Sequence, residues 1–205
     1  MAIIYNTSIV RTGLVLYLDA ANPRSYPGSG SILYDISPLK NNASLIGTYS
    51  FSNGTIRLNN SSNDMNLNIS HVQSNTILNI TTVSLWFRVE SYSTTRYLLD
   101  MRTGGGNGWI YNGGPGADWS SGTLFVNGSS AQTVTWGNIE PPIGSWRNVT
   151  VIANTPASDD INFFSRFSDT EGYDVTFGAI MVYNRSISEQ ENRQNFNAIR
   201  DRFGV

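Results

Sequence analysis

The sequence predicts an all-β fold, a sandwich or barrel of antiparallel strands, closed by one short helix at the C-terminus. Three observations carry this. Apolar and polar residues alternate with a period of two through most of the chain, which is the strand signature. Breaks rich in Gly, Asn, Pro and Ser separate these runs at short intervals, as in sandwiches and barrels. Only the end of the chain repeats its apolar residues at helical spacing. At 205 residues the chain can bury a sizeable core. It reads as an N-terminal arm over 1–12 and a single domain over 13–205.

The first strand is LVLYLD at 14–19, with Leu14, Leu16 and Leu18 expected on one face. It runs into AANPRSYPGSGS, where Asp19 and Asn22 can hydrogen-bond the turn and Pro23, Pro27, Gly28 and Gly30 set its path. Asn53-Gly54, between YSF at 49–51 and TIRL at 55–58, is a strong hairpin signal because both residues tolerate positive φ. Val83, Leu85, Phe87 and Val89 point one way, and Ser84, Trp86 and Arg88 the other. The Gly-rich stretch 104–122 reads as a rim loop or irregular hairpin, and Asn127-Gly128 marks a second hairpin after TLFV. Val149, Val151 and Ala153 form another face. Val175, Phe177, Ala179, Met181 and Tyr183 are expected to share one more. The helix is expected over 188–203: Ser188 and Glu191 match a capping box, Phe196, Ile199 and Phe203 form one stripe, and Gly204 stops it.

Composition narrows the function. Thirteen Lys and Arg against fifteen Asp and Glu give a net charge of −2, which argues against nucleic acid as a partner. Lys40 is the sole lysine. With no Cys, disulfides and thiolate metal sites are excluded. The first eleven residues lack a basic region and their apolar pieces are short, so neither a signal peptide nor a membrane partner is expected. The ten Asn-x-Ser/Thr matches are what an Asn- and Ser-rich chain yields by chance.

Catalysis finds little purchase. Glycosidases of the common type need two carboxyl groups flanking the scissile bond, and Glu90, Glu140 and Glu171 each stand alone in their segments. Asp159-Asp160 reads as turn chemistry. The only His, His71, has no nucleophile motif nearby and reads as a surface or turn residue. The Gly run 104–108 lacks the Lys of a phosphate loop. No enzyme is expected. No cofactor is expected either, except calcium, for which Asp19 and Asp35 are the candidate ligands, with Asp64 and Asp100 also at strand ends or loops. Carbohydrate binding needs aromatic faces beside planar polar groups. Trp109, Tyr111 and Trp119, with Asn107 and Asn112, are the candidates, and Trp136 is a further ring. Rings of this kind also cover sheet edges and fill subunit interfaces. Candidate interface residues are Ile3 and Tyr5 in the arm, Trp86 and Arg88 on the non-core face of their strand, and Phe196 and Phe203 on the helix.

A family resemblance rests on ordered blocks: GLVLYLDAANPRSYPGSGS, then YDISPLKNNASLIG, TTVSLWFRV, LFVNG and GSWRNVTVIANT, and the closing segment from DDINFFSRF to YNRSISEQENRQNFNAIRDRFGV. Together they resemble the concanavalin A-like (laminin-G-like) lectin/glucanase domains of tailed-phage virion structural proteins, cyanophage proteins especially. The resemblance implies an all-β jelly-roll sandwich of two antiparallel sheets with a short C-terminal helix. The glucanase branch's catalytic carboxylates have no counterpart here. The resemblance further implies a non-enzymatic virion surface protein, a capsid decoration or head-fibre protein. Its partners would be the major capsid protein or other virion proteins and further copies of itself, and its location the virion. The alternative is a glycan-binding adhesin of a tail fibre, with host-surface glycans as partners.

Overall fold

The computed structural model describes residues 8–60, 69–92, 94–101, 108–168 and 171–205. In chain order the strands are β1 (Leu14–Asp19), β2 (Ile32–Leu33), β3 (Ala43–Ile46), β4 (Tyr49–Ser52), β5 (Thr55–Leu58), β6 (His71–Ser74), β7 (Ile77–Val89), β8 (Tyr97–Asp100), β9 (Trp109–Tyr111) and β10 (Gly114–Pro115). A short helix α1 (Ala117–Ser120) follows, then β11 (Thr123–Val126), β12 (Gln132–Thr133), α2 (Trp136–Ile139), β13 (Trp146–Asp159), β14 (Asn162–Phe163) and β15 (Val175–Tyr183). The helix α3 (Glu189–Ile199) and a 3₁₀ turn (Arg200–Arg202) end the chain.

Among the described residues the strands form two antiparallel sheets. The larger has eight strands in the order β12-β11-β13-β7-β15-β5-β4, with β1 beside β15; the smaller has seven, in the order β10-β9-β8-β14-β6-β3-β2. The expected two-sheet sandwich is therefore the fold. Leu85, Phe87, Val151, Phe177, Leu99, Phe163 and Ile110 fill the space between the sheets. A second apolar layer lies on the outer face of the larger sheet, beneath the C-terminal helix: Tyr17, Trp86, Met181, Tyr183, Phe196, Ile199 and Phe203. The order is thus small sheet, large sheet, helix.

The alternation of β7 is as expected, with Val83, Leu85, Phe87 and Val89 between the sheets and Trp86 in the helix layer. Two other strands correct the strict period of two. In β1 the register shifts between Leu14 and Leu16, so Leu16 and Leu18 enter the inner core while Leu14 joins the helix layer. In β15 the register shifts between Phe177 and Ala179. Val175 and Phe177 therefore face the inner core, and Ala179, Met181 and Tyr183 face the helix. An extra residue in a strand flips every later side chain. Here that residue is Gly178, over which the Phe203 ring lies so closely that an added Cβ would meet it at 2.3 Å.

Asn53 and Gly54 have φ of 51° and 71° and join β4 to β5 as a two-residue turn. Asn127 and Gly128 have the same signs, at 49° and 69°, but the loop from β11 to β12 is longer than the expected hairpin. β11 instead runs its full length along β13. The capping box forms: the Glu191 backbone N–H donates to the Ser188 hydroxyl, and the Ser188 backbone N–H donates to the Glu191 carboxylate. The helix ends at Ile199, short of the expected 203, and Gly204 takes the left-handed φ of 68°. No helix among the described residues is long and apolar enough to cross a membrane.

Candidate functional site

Register builds a site that no single segment contains. Ser50 on β4 pairs with Arg57 on β5, and Arg57 with Thr176 on β15. Thr176 pairs with Arg88 on β7, and Arg88 with Trp146 on β13. The row crosses five adjacent strands on the outer face of the large sheet. Alternation explains why: Ile56, Leu58, Phe87, Val89, Val175 and Phe177, the flanking residues, all enter the inner core. The hairpin residues Ser52, Asn53 and Thr55 wall one side of this row, and Arg202 and Phe203 of the C-terminal turn wall the other. The open cleft between them measures about 380 Å³, within the range of small-molecule sites (about 300–1,000 Å³).

Three guanidinium groups line it, and a carboxylate outside the lining holds each. Arg57 Nη2 donates to both oxygens of Asp174 at 3.2 Å, and Asp174 is fully buried. Arg88 donates through Nε and Nη2 to Glu90 Oε1, at 2.9 and 2.7 Å. The Thr176 hydroxyl donates to the same oxygen. Burial pushes the Glu90 carboxyl up, but Thr176, Arg88 and Arg57 outweigh it and hold the group below the usual carboxylate range. Arg202 donates to both oxygens of Asp19, at 3.0 and 2.7 Å. The indole of Trp146 is half-buried, packed on Phe203 at 4.4 Å between ring centres, with Arg88 over it at 5.6 Å.

A larger cleft of about 510 Å³ lies between the Asn127-Gly128 turn and the helix, lined by Arg193, Phe196, Asn197, Arg200 and Asp201. Its walls are one turn and one helix face, with no cross-strand row beneath.

The sequence-predicted residues scatter. Trp109 and Tyr111 lie half-buried on β9, on the same side of the small sheet, with buried Ile110 between them. Tyr111 stacks on Tyr97 at 5.0 Å. The Asn112 amide is committed to the backbone, accepting from Arg96 N–H and donating to the Thr94 carbonyl. Trp119 is fully buried in the core and presents no face to a ligand, because α1 turns it inward. Asn107, Asp64, Ile3 and Tyr5 lie outside the described residues.

The proposed calcium ligands are engaged by protein donors. Asp35 accepts from the backbone N–H groups of Tyr17, Ser37 and Asn41 and from the Ser37 hydroxyl. Asp19 accepts from Tyr17 Oη, Ala21 N–H and the Arg202 fork. Among the described residues neither belongs to a cluster of three or more potential ligands. Trp86, Phe196 and Phe203, candidates for a subunit interface, are buried against one another instead. Trp86 stacks on Phe196 at 5.4 Å and on Phe203 at 4.7 Å. His71 is fully buried on β6, not on the surface, with Nδ1 2.8 Å from the Ile69 carbonyl.

Of the cleft residues, sequence reasoning singled out Arg88 and Phe203 as interface candidates and Asn53 as a turn residue. Arg57, Thr176, Ser50, Trp146 and Arg202 were missed. One signal was available: Arg57 and Arg88 each interrupt an apolar strand at an outward position, TIRL and LWFRV.

No protein-family model matches the sequence, and no curated protein does. Solved structures match the fold. A Trypanosoma rangeli sialidase in complex with 2,3-difluorosialic acid gives a TM-score of 0.60 at 14% identity, over 97% of this chain and 34% of that one. The binding domain of botulinum neurotoxin DC in complex with SialylT gives 0.56 at 12% identity, over 92% of this chain and 52% of that one. The type G receptor-binding domain gives 0.52 at 14% identity, over 90% and 51%. The chain thus spans about a third of the sialidase and about half of the toxin domains, and the likeness is one of fold. The sialidases overturn the expectation that the chain is not an enzyme. No phage protein is among these structures, and the virion, capsid and self-association expectations draw no support from them. What they show is a β-sandwich shared with sugar-related proteins.

Proposed function

We propose that the chain is a glycan-binding β-sandwich module and that the Arg57–Arg88–Arg202 cleft is its sugar site. The carrying observation is the cross-strand row Ser50–Arg57–Thr176–Arg88–Trp146. It sets oriented donors, hydroxyls and a half-buried indole around one cleft, the mixture of polar anchors and ring surface that a sugar needs. The solved binding domain in complex with SialylT supports the reading, since the same fold there belongs to a binding protein. A glycan array probed with the purified chain tests it. Binding to a defined set of glycans, lost in Arg57→Gln and kept in Tyr111→Ala, is expected. Binding lost in Tyr111→Ala and kept in Arg57→Gln would move the site to the β9 edge.

A further inference from the structure

We infer that the cleft recognises a sugar bearing a carboxylate group, an inference that rests on the glycan-binding reading above. Three features of the lining point there. First, its charged members are Arg57, Arg88 and Arg202, with no carboxylate among the lining residues. A guanidinium only donates hydrogen bonds. Neutral sugar hydroxyls both donate and accept, so a wall dominated by donors serves an acceptor-only group better. Second, the partner carboxylates Asp174, Glu90 and Asp19 fix each guanidinium by paired contacts from outside the cleft. The forks are set before any ligand arrives, which lowers the ordering cost of binding. Third, donors remain. Arg88 Nη1 and Arg202 Nε make no hydrogen bond to the described protein, and Arg57 Nη1 has only a 3.9 Å contact with Glu90.

The three cations are matched by three anions around them, so the cleft has little net charge. An acid is then held by direct charge-assisted hydrogen bonds, not by a long-range field. The hydroxyls of Ser50 and Ser52 and the Asn53 amide are left for the ring hydroxyls of the same sugar, while the Thr55 hydroxyl donates to the Ser52 carbonyl and can only accept.

Isothermal titration with matched pairs tests this: 3′-sialyllactose against lactose, and trigalacturonate against its methyl ester. The acid of at least one pair is expected to bind at least about tenfold more tightly than its neutral counterpart, the worth of one hydrogen bond to a charged group. Arg88→Gln should erase that difference. Arg57→Lys keeps the charge beside Asp174 but loses the planar guanidinium, and should weaken acid binding by about tenfold in a chain that still unfolds cooperatively. Equal binding of acid and neutral forms would overturn the carboxylate inference and leave the glycan reading standing. So would array hits confined to neutral glycans. Acid binding that survives Arg57→Lys and Arg88→Gln would overturn the assignment to this cleft. Silence on the whole array would remove the glycan reading, and this inference with it.

Discussion

Asp19 shows how one carboxylate can hold a molecule together. It ends β1, caps its own turn through the Ala21 N–H, takes the Tyr17 hydroxyl, and receives both arms of Arg202 from 183 residues away. Replacing it by Ala strands a guanidinium and frees the C-terminal turn. Asp19→Ala should cost about 2–4 kcal/mol in urea unfolding, toward the low end of a buried pair because Arg202 is partly in solvent. Gly178 is the second such residue. Gly178→Ala places a Cβ 2.3 Å from the Phe203 ring, so overpacking of about 1–3 kcal/mol is expected, read as a lower melting temperature. Asn192 offers the opposite case: it is fully buried, and neither end of its amide has a hydrogen-bond partner. Asn192→Leu should raise stability by about 1 kcal/mol in the same assay, since no bond is lost and a desolvation penalty is removed.

The C-terminal helix was readable from sequence because its signals are local. A capping box needs residues three apart, and a stripe needs i, i+3, i+7. Ser188→Ala should destabilise the protein by about 1 kcal/mol in thermal melts. Acid should act on the same element. The Arg185 fork, at 2.7 and 2.9 Å, and the Ser188 backbone N–H hold the Glu191 carboxyl down to about 2 against a push upward from burial. A depressed carboxyl adds stability above its unfolded value of 4.5, and that stability is lost as pH falls toward about 2. Melting temperature should therefore fall across this window. Glu191→Gln should melt below the wild type at neutral pH and converge with it near pH 2. Strand alternation and the Asn53-Gly54 turn were equally local and equally readable. The bulges at Leu14/Leu16 and Gly178 were not. A bulge is decided by what packs across the sheet, and in β15 that is Phe203, distant in sequence.

Across the molecule, the large sheet is buried on one face by its partner sheet and on much of the other by the helix. Removing residues 189–205 would bare Trp86, Met181 and Tyr183. The truncated chain should bind a hydrophobic dye more strongly than the full chain and associate more readily. The candidate site shows where sequence reading stops. Its residues were each visible, but their gathering depends on four separate register relations, and register follows from the whole hydrophobic pattern. Aromatic residues drew the reading toward the Gly-rich 104–122 stretch, yet burial claims Trp119 for the core. The row also bears on how such a protein can change. Each of its members is an outward position on a strand whose inward neighbours carry the core, and exposed Ser50, at one end, can be exchanged with little disturbance to the scaffold beneath. Ser50 and Trp146, at the two ends, lie far apart along the chain and can vary independently. A lineage could thus retune which sugar it prefers, one substitution at a time, while the sandwich that bears the choice stays the same.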